Sequence, residues 1–510
     1  MRTEWTKFRT VRGFVIAMIV AGGVILGLGL SPMSGTCTEQ TCRQPVGPEG
    51  EEVRDSFYLL HRPLTGDGGI TARLTSMTGR VPDIPADRGD RDDGGGRAAG
   101  PAAGEGMRDG LVPWAKAGLI IKDGTRRGSA YAAVMVTGGH GVRMQHNFVH
   151  DRAGQPGTAG APVPRWLRLT RAGDVVTGAQ SADGVHWSTV ASVELAGLPA
   201  TVEIGLFATS PQFVETTGLA GGSSGPTLVT ATFDDISGGA DGWTGEGIGA
   251  EGSHRPDGWT GEAIGAEGSH RPDGMGVTLT GSGDIGPVVV GAAGLGVSIT
   301  QTLLGTFAGL VLVVVVGAAF MTGEYRRGLI RTTLAATPAR GRVLLGKAAV
   351  LAVVTFGVGL VSAAAVVVAG RRVLVGNGVY VLPATLLTEI RVIAGTAALL
   401  AVAAVLALGI GTMLRRSAVA ISVVVGLTVL PYLLAMTVLP AAAAQWLLRV
   451  TPAAAFAVQQ SAKQYHQVEN LYTPANGYFP LPWWAGFGVL CLWAAAALAG
   501  AAVLLRRRDA

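Results

Sequence analysis

Two hydrophobic patterns alternate along the chain. Uncharged apolar runs occupy Gly13–Leu30, the stretch 285–323, Ala348–Gly370, Val392–Leu414, Ala418–Leu439 and Trp484–Leu505. A membrane helix needs about 20 apolar residues, because unsatisfied backbone groups are costly in lipid. Each run therefore predicts one span. The second run is too long for one, so its span is placed at Thr302–Met321, with Gly286–Gln301 as an interfacial or re-entrant lead-in.

Between the first two runs the pattern changes. Short alternating segments recur at Ile70–Leu74, Ala117–Ile121, Tyr131–Val136, Val142–His146, Trp166–Thr170, Val175–Ser181, Trp187–Val193, Thr201–Ala208 and Leu228–Phe233. Gly, Pro, Asp and Ser clusters separate them. Many short strands at near-regular spacing predict a β-sandwich over 51–236. Arg80–Gly106, rich in Gly, Asp and Arg, reads as a flexible loop insertion. The expected fold class is mixed: a six-helix transmembrane bundle plus an extracytoplasmic all-β jelly-roll sandwich.

Charge sets the orientation. Residues 31–285 hold 30 of the 35 acidic and 20 of the 40 basic residues, a local net charge of −10. The overall charge of +5 and the pI near 9.3 therefore do not indicate nucleic-acid binding. Basic residues gather in Met1–Arg12, Thr322–Lys347, Arg415–Arg416 and Arg506–Arg508. These are alternate connections, so the positive-inside rule places them, and both termini, in the cytoplasm. Residues 31–284 and the loops 371–391 and 440–483 are then extracellular, although Arg371 and Arg372 run against the rule. The expected location is the plasma membrane, with Gly13–Leu30 a retained anchor rather than a cleaved signal peptide.

Candidate chemistry is sparse. Outside the cytoplasm Cys37 and Cys42, in the linker 31–50, could close a small disulfide loop; two free thiols are the alternative. Trp114, Trp166 and Trp187 are either core tryptophans or a sugar-stacking platform. His146 and His150 would share a face only on a helix, and the segment reads as strand and loop. No metal site is expected. The 16-residue segment 241–256 is repeated at 257–272 with one change, Gly247 to Ala263. With its Gly-rich flanks it reads as a tether over 237–284. Gly341–Lys347 resembles a phosphate-binding loop, but Ala348 stands where magnesium needs Ser or Thr, and a span follows. The chain is thus expected to have no ATPase of its own and not to be an enzyme. The spans contain almost no ionisable residues, which argues against an ion-coupled carrier.

Two resemblances add to this reading. Pro113–Asp123, Pro164–Leu169, Ser181-Ala182-Asp183-Gly184-Val185-His186-Trp187 and Ile204–Ala208 resemble laminin-G/concanavalin-like jelly-roll domains. That resemblance implies a binder of carbohydrate or another ligand, not a catalyst. In the membrane part, Gly323–Pro338 resembles the Glu-Tyr-x-x-Gly-x-Ile-Arg-x-Thr-Leu segment of actinobacterial type-2 ABC-transporter permeases. Glu4–Thr10, Pro431-Tyr432, Thr451-Pro452-Ala453, Pro474–Pro482 and Leu505–Asp509 are similar to further segments of that family, in order. The resemblance covers residues 1–30 and 285–510.

It implies a permease subunit of an ABC exporter, pairing as a homo- or heterodimer in the bilayer. A cytoplasmic ABC ATPase would dock on a coupling loop carrying Glu324, Tyr325, Arg326, Arg327, Arg331, Arg340 and Arg342. No cofactor would bind directly, and ATP would act through the partner. Trp5 and Phe8, three apart, would share the apolar face of an amphipathic helix. The alternative function is a membrane-anchored protein whose sandwich recognises a glycan or wall polymer. An inserted domain of this size departs from a minimal permease and gives that alternative weight.

Overall fold

The computed structural model describes residues 2–31, 43–83, 106–154, 163–217, 221–239, 242–249, 268–274, 276–291, 296–326, 328, 340–437 and 439–508. Cys37 and Cys42 lie outside them.

Among the described residues, six helices are long and apolar enough to cross a membrane: Arg12–Gly29, Ile299–Tyr325, Arg340–Gly376, Leu386–Leu414, Ser417–Met436 and Trp483–Arg507. The third span is one continuous helix of 37 residues. At 1.5 Å per residue it is roughly 55 Å long, against about 30 Å of hydrocarbon. The excess carries Arg340 and Arg342 at one end and Arg371 and Arg372 at the other. Arg371 meets Glu389 at 3.4 Å, so the two residues that ran against the charge rule sit on a helix extension. The fifth span is interrupted at Val429, between helical segments Ser417–Thr428 and Leu430–Thr437. Pro431 lacks the N–H the ladder needs there.

The loop 440–483, expected wholly outside, begins within the bundle. Ala441–Val450 is a short helix, and the 3-10 segment Pro452–Gln459 is buried at every residue. Irregular backbone is tolerated at membrane depth when protein surrounds it. Gln459 donates to the hydroxyls of Thr306 and Thr396, each at 3.3 Å. The sixth span approaches so closely that a Cβ at Gly486 would lie 2.2 Å from the Ala454 carbonyl oxygen.

Between the first two spans the described strands are β1 (Val53–Asp55), β2 (Phe57–Thr65), β3 (Gly68–Pro82), β4 (Met107–Asp109), β5 (Lys116–Lys122), β6 (Tyr131–Thr137), β7 (Val142–His146), β8 (His150–Ala153), β9 (Arg165–Ala172), β10 (Val175–Ser181), β11 (Ser188–Glu194), β12 (Thr201–Thr209), β13 (Phe213–Thr217), β14 (Gly221–Gly225), β15 (Leu228–Asp234), β16 (Thr244–Ile248), β17 (Gly268–Asp273), β18 (Gly276–Gly281) and β19 (Ile285–Pro287). One sheet runs β11-β10-β9-β3-β15-β18-β17, with β4 beside β3. The other runs β16-β2-β12-β5-β6-β7-β8. Leu119, Ile121 and Val134 from the second pack against Leu74, Leu169 and Phe233 from the first, which forms the sandwich core.

The tether expectation is corrected. Thr244–Ile248, from the first copy of the repeat, pairs with β2 at one edge of the seven-stranded sheet. β17, spanning the end of the second copy, pairs with β18 at an edge of the eight-stranded sheet. Gly-rich sequence hid these strands, because an edge strand needs backbone hydrogen bonds more than alternating apolar side chains. The sandwich therefore continues past residue 236. The lead-in Gly286–Gln301 is likewise part strand: β19 pairs with β1 to make a two-stranded ribbon.

That ribbon covers the outer face of the seven-stranded sheet. Val53 and Ile285 pack with Ile120, Tyr131 and Phe207, so β5 is buried on both faces. The ribbon lies where the chain enters the sandwich and where it leaves for the second span. The sandwich also rests on the loops 371–391 and 440–483. Tyr380 donates to Glu52, and Lys463 pairs with Glu51. Gln467 donates to the Val149 carbonyl at 2.9 Å and Asn470 to that of Val290 at 2.7 Å. Burial raises the Glu52 carboxyl above its ordinary range, despite the Tyr380 hydrogen bond.

Candidate functional site

Among the described residues of the membrane part, an ion cluster sits where the basic connections gather. The N-terminal helix Arg2–Thr10 places Glu4, Lys7 and Phe8 at i, i+3 and i+4, which share a face. That face turns inward. Trp5 is 47% exposed while Phe8 is buried, so the buried side is centred on Glu4 and Phe8, not on a Trp5–Phe8 pair. Phe8 lies against Phe14 and Phe320, with ring centroids 5.7 and 5.4 Å away.

Lys347, on the third span, has no exposed side-chain surface. Its Nζ lies 2.8 Å from Glu4 Oε2 and 2.7 Å from Glu324 Oε1. It also stands 4.5 Å from the centroid of the Phe320 ring. Lys7 closes the cluster, 3.2 Å from Glu324 and 3.4 Å from Glu4. Burial is the largest single influence on Lys7 and lowers its pKa, but Glu324 and Glu4 together outweigh it and the net shift is upward. The phosphate-loop lookalike is thus resolved in geometry: Gly341–Lys347 is helical, and Lys347 is committed to two carboxylates.

Two further contacts tie the remaining spans to this end. The Arg415 guanidinium, just after the fourth span, lies 4.9 Å from the Tyr325 ring centroid. Arg340 donates to the Leu505 carbonyl at 2.6 Å. One cluster therefore joins the N-terminal helix to the second and third spans, and these contacts bring in the fourth and sixth.

Of the residues singled out for coupling, Glu324 faces inward to Lys347, and Tyr325 lies under Arg415. Arg340 is tied to the sixth span, and Arg342 is exposed. Arg326 ends a helix, and nothing is described of its side chain; Arg327 and Arg331 lie outside the described residues. Sequence reading missed Glu4, Lys7 and Lys347. A signal was available: only five acids lie outside 31–285, and two of them meet at Lys347.

The three tryptophans do not form one surface. Trp114 is buried beside the seven-stranded sheet, with its ring 4.0 Å from that of His140. Trp166 and Trp187 belong to the eight-stranded sheet's outward side. Arg73 lies 5.7 Å from the Trp166 ring centroid and Arg168 3.8 Å from that of Trp187. The Ser181–Trp187 turn is held by Asp183, which accepts from the backbone of Val185 and His186. His146 and His150 are corrected as well. A three-residue turn pairs them across β7 and β8, so they share a face without a helix, with ring centroids 4.4 Å apart.

Six spans and an all-β domain define a multi-pass membrane protein with a sandwich inserted between its first two spans. The ABC-2 family transporter protein family matches residues 147–510, and the chain belongs to that family. The match begins inside the sandwich and runs through the last five spans. No curated protein matches. Among solved structures, a functionally unknown protein from Saccharomyces cerevisiae is similar at 14% identity, over 33% of this chain and 74% of that one, with a TM-score of 0.18.

Proposed function

We propose that this chain is the permease subunit of an ABC exporter driven by a separate cytoplasmic ATPase, paired in the plasma membrane with a second permease. The observation that carries the proposal is the Glu4–Lys347–Glu324 cluster. It links the N-terminal helix to both span ends that flank residues 327–339, so a push on that connection reaches three membrane elements at once. Arg326, Arg327, Arg331, Arg340 and Arg342 belong to the same cytoplasmic side and suit an acidic docking groove. Both termini are inside and 31–284 outside, as the basic connections require. ATP binds the partner. Co-purification with candidate ATPases tests the reading. Association is expected, and it should fall when Arg326, Arg327 and Arg331 are reversed to Glu. Unchanged association in that variant would remove the docking assignment.

A second reading gives the sandwich, taken as laminin-G/concanavalin-like, a recognition function toward an extracellular glycan. It is supported by Trp166 and Trp187 on one outward face. Glycan-array binding by the full chain, lost in Trp166→Ala and Trp187→Ala, would favour it; a silent array would count against it.

A further inference from the structure

We propose that Lys122 and Asp55 become joined by an intramolecular amide that rivets the ribbon strand β1 to the central strand β5. Both side chains are about as buried as side chains can be, at 1% exposure each, and Lys122 Nζ lies 2.7 Å from Asp55 Oδ2. Cγ is one covalent bond beyond Oδ2, so a small side-chain movement suffices to bring it within the ~3–3.5 Å from which attack proceeds. The pocket is apolar: the Tyr131 and Phe148 ring centroids stand 5.9 and 5.6 Å from Nζ.

The polar groups are arranged for the product as well as for the ion pair. The Gly128 N–H donates to Oδ2 at 2.8 Å. Nζ donates to the Ser129 carbonyl at 3.2 Å. Oδ1 is buried and has no hydrogen-bond partner among the described residues. In the amide, Oδ2 becomes the carbonyl oxygen and keeps the Gly128 N–H, the amide N–H keeps Ser129, and Oδ1 departs. The atoms balance without a co-reactant. Proton transfer from the ammonium to the carboxylate gives amine and acid. The amine lone pair attacks Cγ, the C–N bond forms, and the Cγ–Oδ1 bond breaks. The oxygen leaves as water with the acid proton and one amine proton, and nothing is oxidised or reduced.

Two physical arguments favour the step. Burying an ion pair carries a large desolvation penalty, which the neutral amide removes. Burial also lowers the Lys122 pKa despite the nearby Asp55 carboxylate, which favours the nucleophilic free amine. The link would matter because β1 has only three residues and lies where the chain enters the sandwich.

The test is the mass of the purified full chain and of its proteolytic peptides. The proposal expects an intact mass one water below the sequence value and a branched peptide containing both Asp55 and Lys122. Lys122→Arg and, independently, Asp55→Ala should restore the full mass. Wild-type protein that is folded, has the full mass and yields the two peptides unlinked would overturn it. So would a lost water traced to Lys116 and Asp284, the other buried pair on this face.

Discussion

At the scale of single residues, the account rests on charges placed where water is absent. Lys347 is the buried cation between two carboxylates, so removing it leaves Glu4 and Glu324 with only the partly exposed Lys7, at 3.4 and 3.2 Å. Breaking a buried pair by deleting one partner typically costs about 3–5 kcal/mol. Lys347→Met should therefore lower the thermal unfolding midpoint of the detergent-purified chain by several degrees, and Glu324→Gln added to it should recover part of the loss. A midpoint unchanged by Lys347→Met would show that the cluster is not structural.

His146 gives a pH test. Burial first, and then the neighbouring His150, lower its pKa from 6.5 to about 4. Between those values the unfolded chain binds a proton that the folded chain refuses, so stability falls as pH drops through that window. The slope stays below the one-proton limit of about 1.4 kcal/mol per pH unit, because solvent screens a half-exposed ring. Unfolding measured from pH 7 to pH 4 should show this loss, and His146→Gln should flatten it. An equally steep profile in the variant would assign the loss to other groups.

At the scale of elements, the six spans were legible because uninterrupted apolar length is a strong signal. Their ends were not. The third span runs to Gly376 although Arg371 and Arg372 mark a polar boundary, since a helix continues past the bilayer wherever its ladder is unbroken. The nine strands read from alternation are present. Strands carried by glycine and polar residues, such as Thr244–Ile248 and Gly268–Asp273, left no periodic trace. Phe57–Thr65 was missed for another reason: its first five residues are all buried, so they do not alternate. The Pro452–Gln459 segment reads as loop in sequence but is held inside the bundle by close packing. Gly486→Ala tests that packing. Its Cβ would meet the Ala454 carbonyl, and overpacking of this kind costs typically about 1–3 kcal/mol. A lower unfolding midpoint is expected; an unaltered one would mean the sixth span can shift without cost.

At the scale of the whole molecule, one pair of spans connects both ends. The first span follows the helix that carries Glu4 and Lys7, and the second ends at Glu324. On the other side the same two spans lead to the sandwich through the β1–β19 ribbon. The candidate site was half legible. The Glu324–Pro338 segment pointed to the right region, but Lys347 was hidden in a false phosphate loop and Glu4 in an amphipathic helix whose face was assigned one residue off. Both errors concern partners distant in sequence, which no local pattern encodes. The sandwich's seat on Tyr380, Lys463, Gln467 and Asn470 ties it to the loops 371–391 and 440–483.

The central claim is that this chain transmits the work of a separate ATPase. The most direct measurement is ATP hydrolysis by a co-purifying ATPase in proteoliposomes, with wild-type chain and with Arg326, Arg327 and Arg331 reversed to Glu. The account predicts a stable complex whose hydrolysis depends on the permease and is lost in the reversed variant. An ATPase that neither binds the wild-type chain nor changes its rate in its presence would contradict the account.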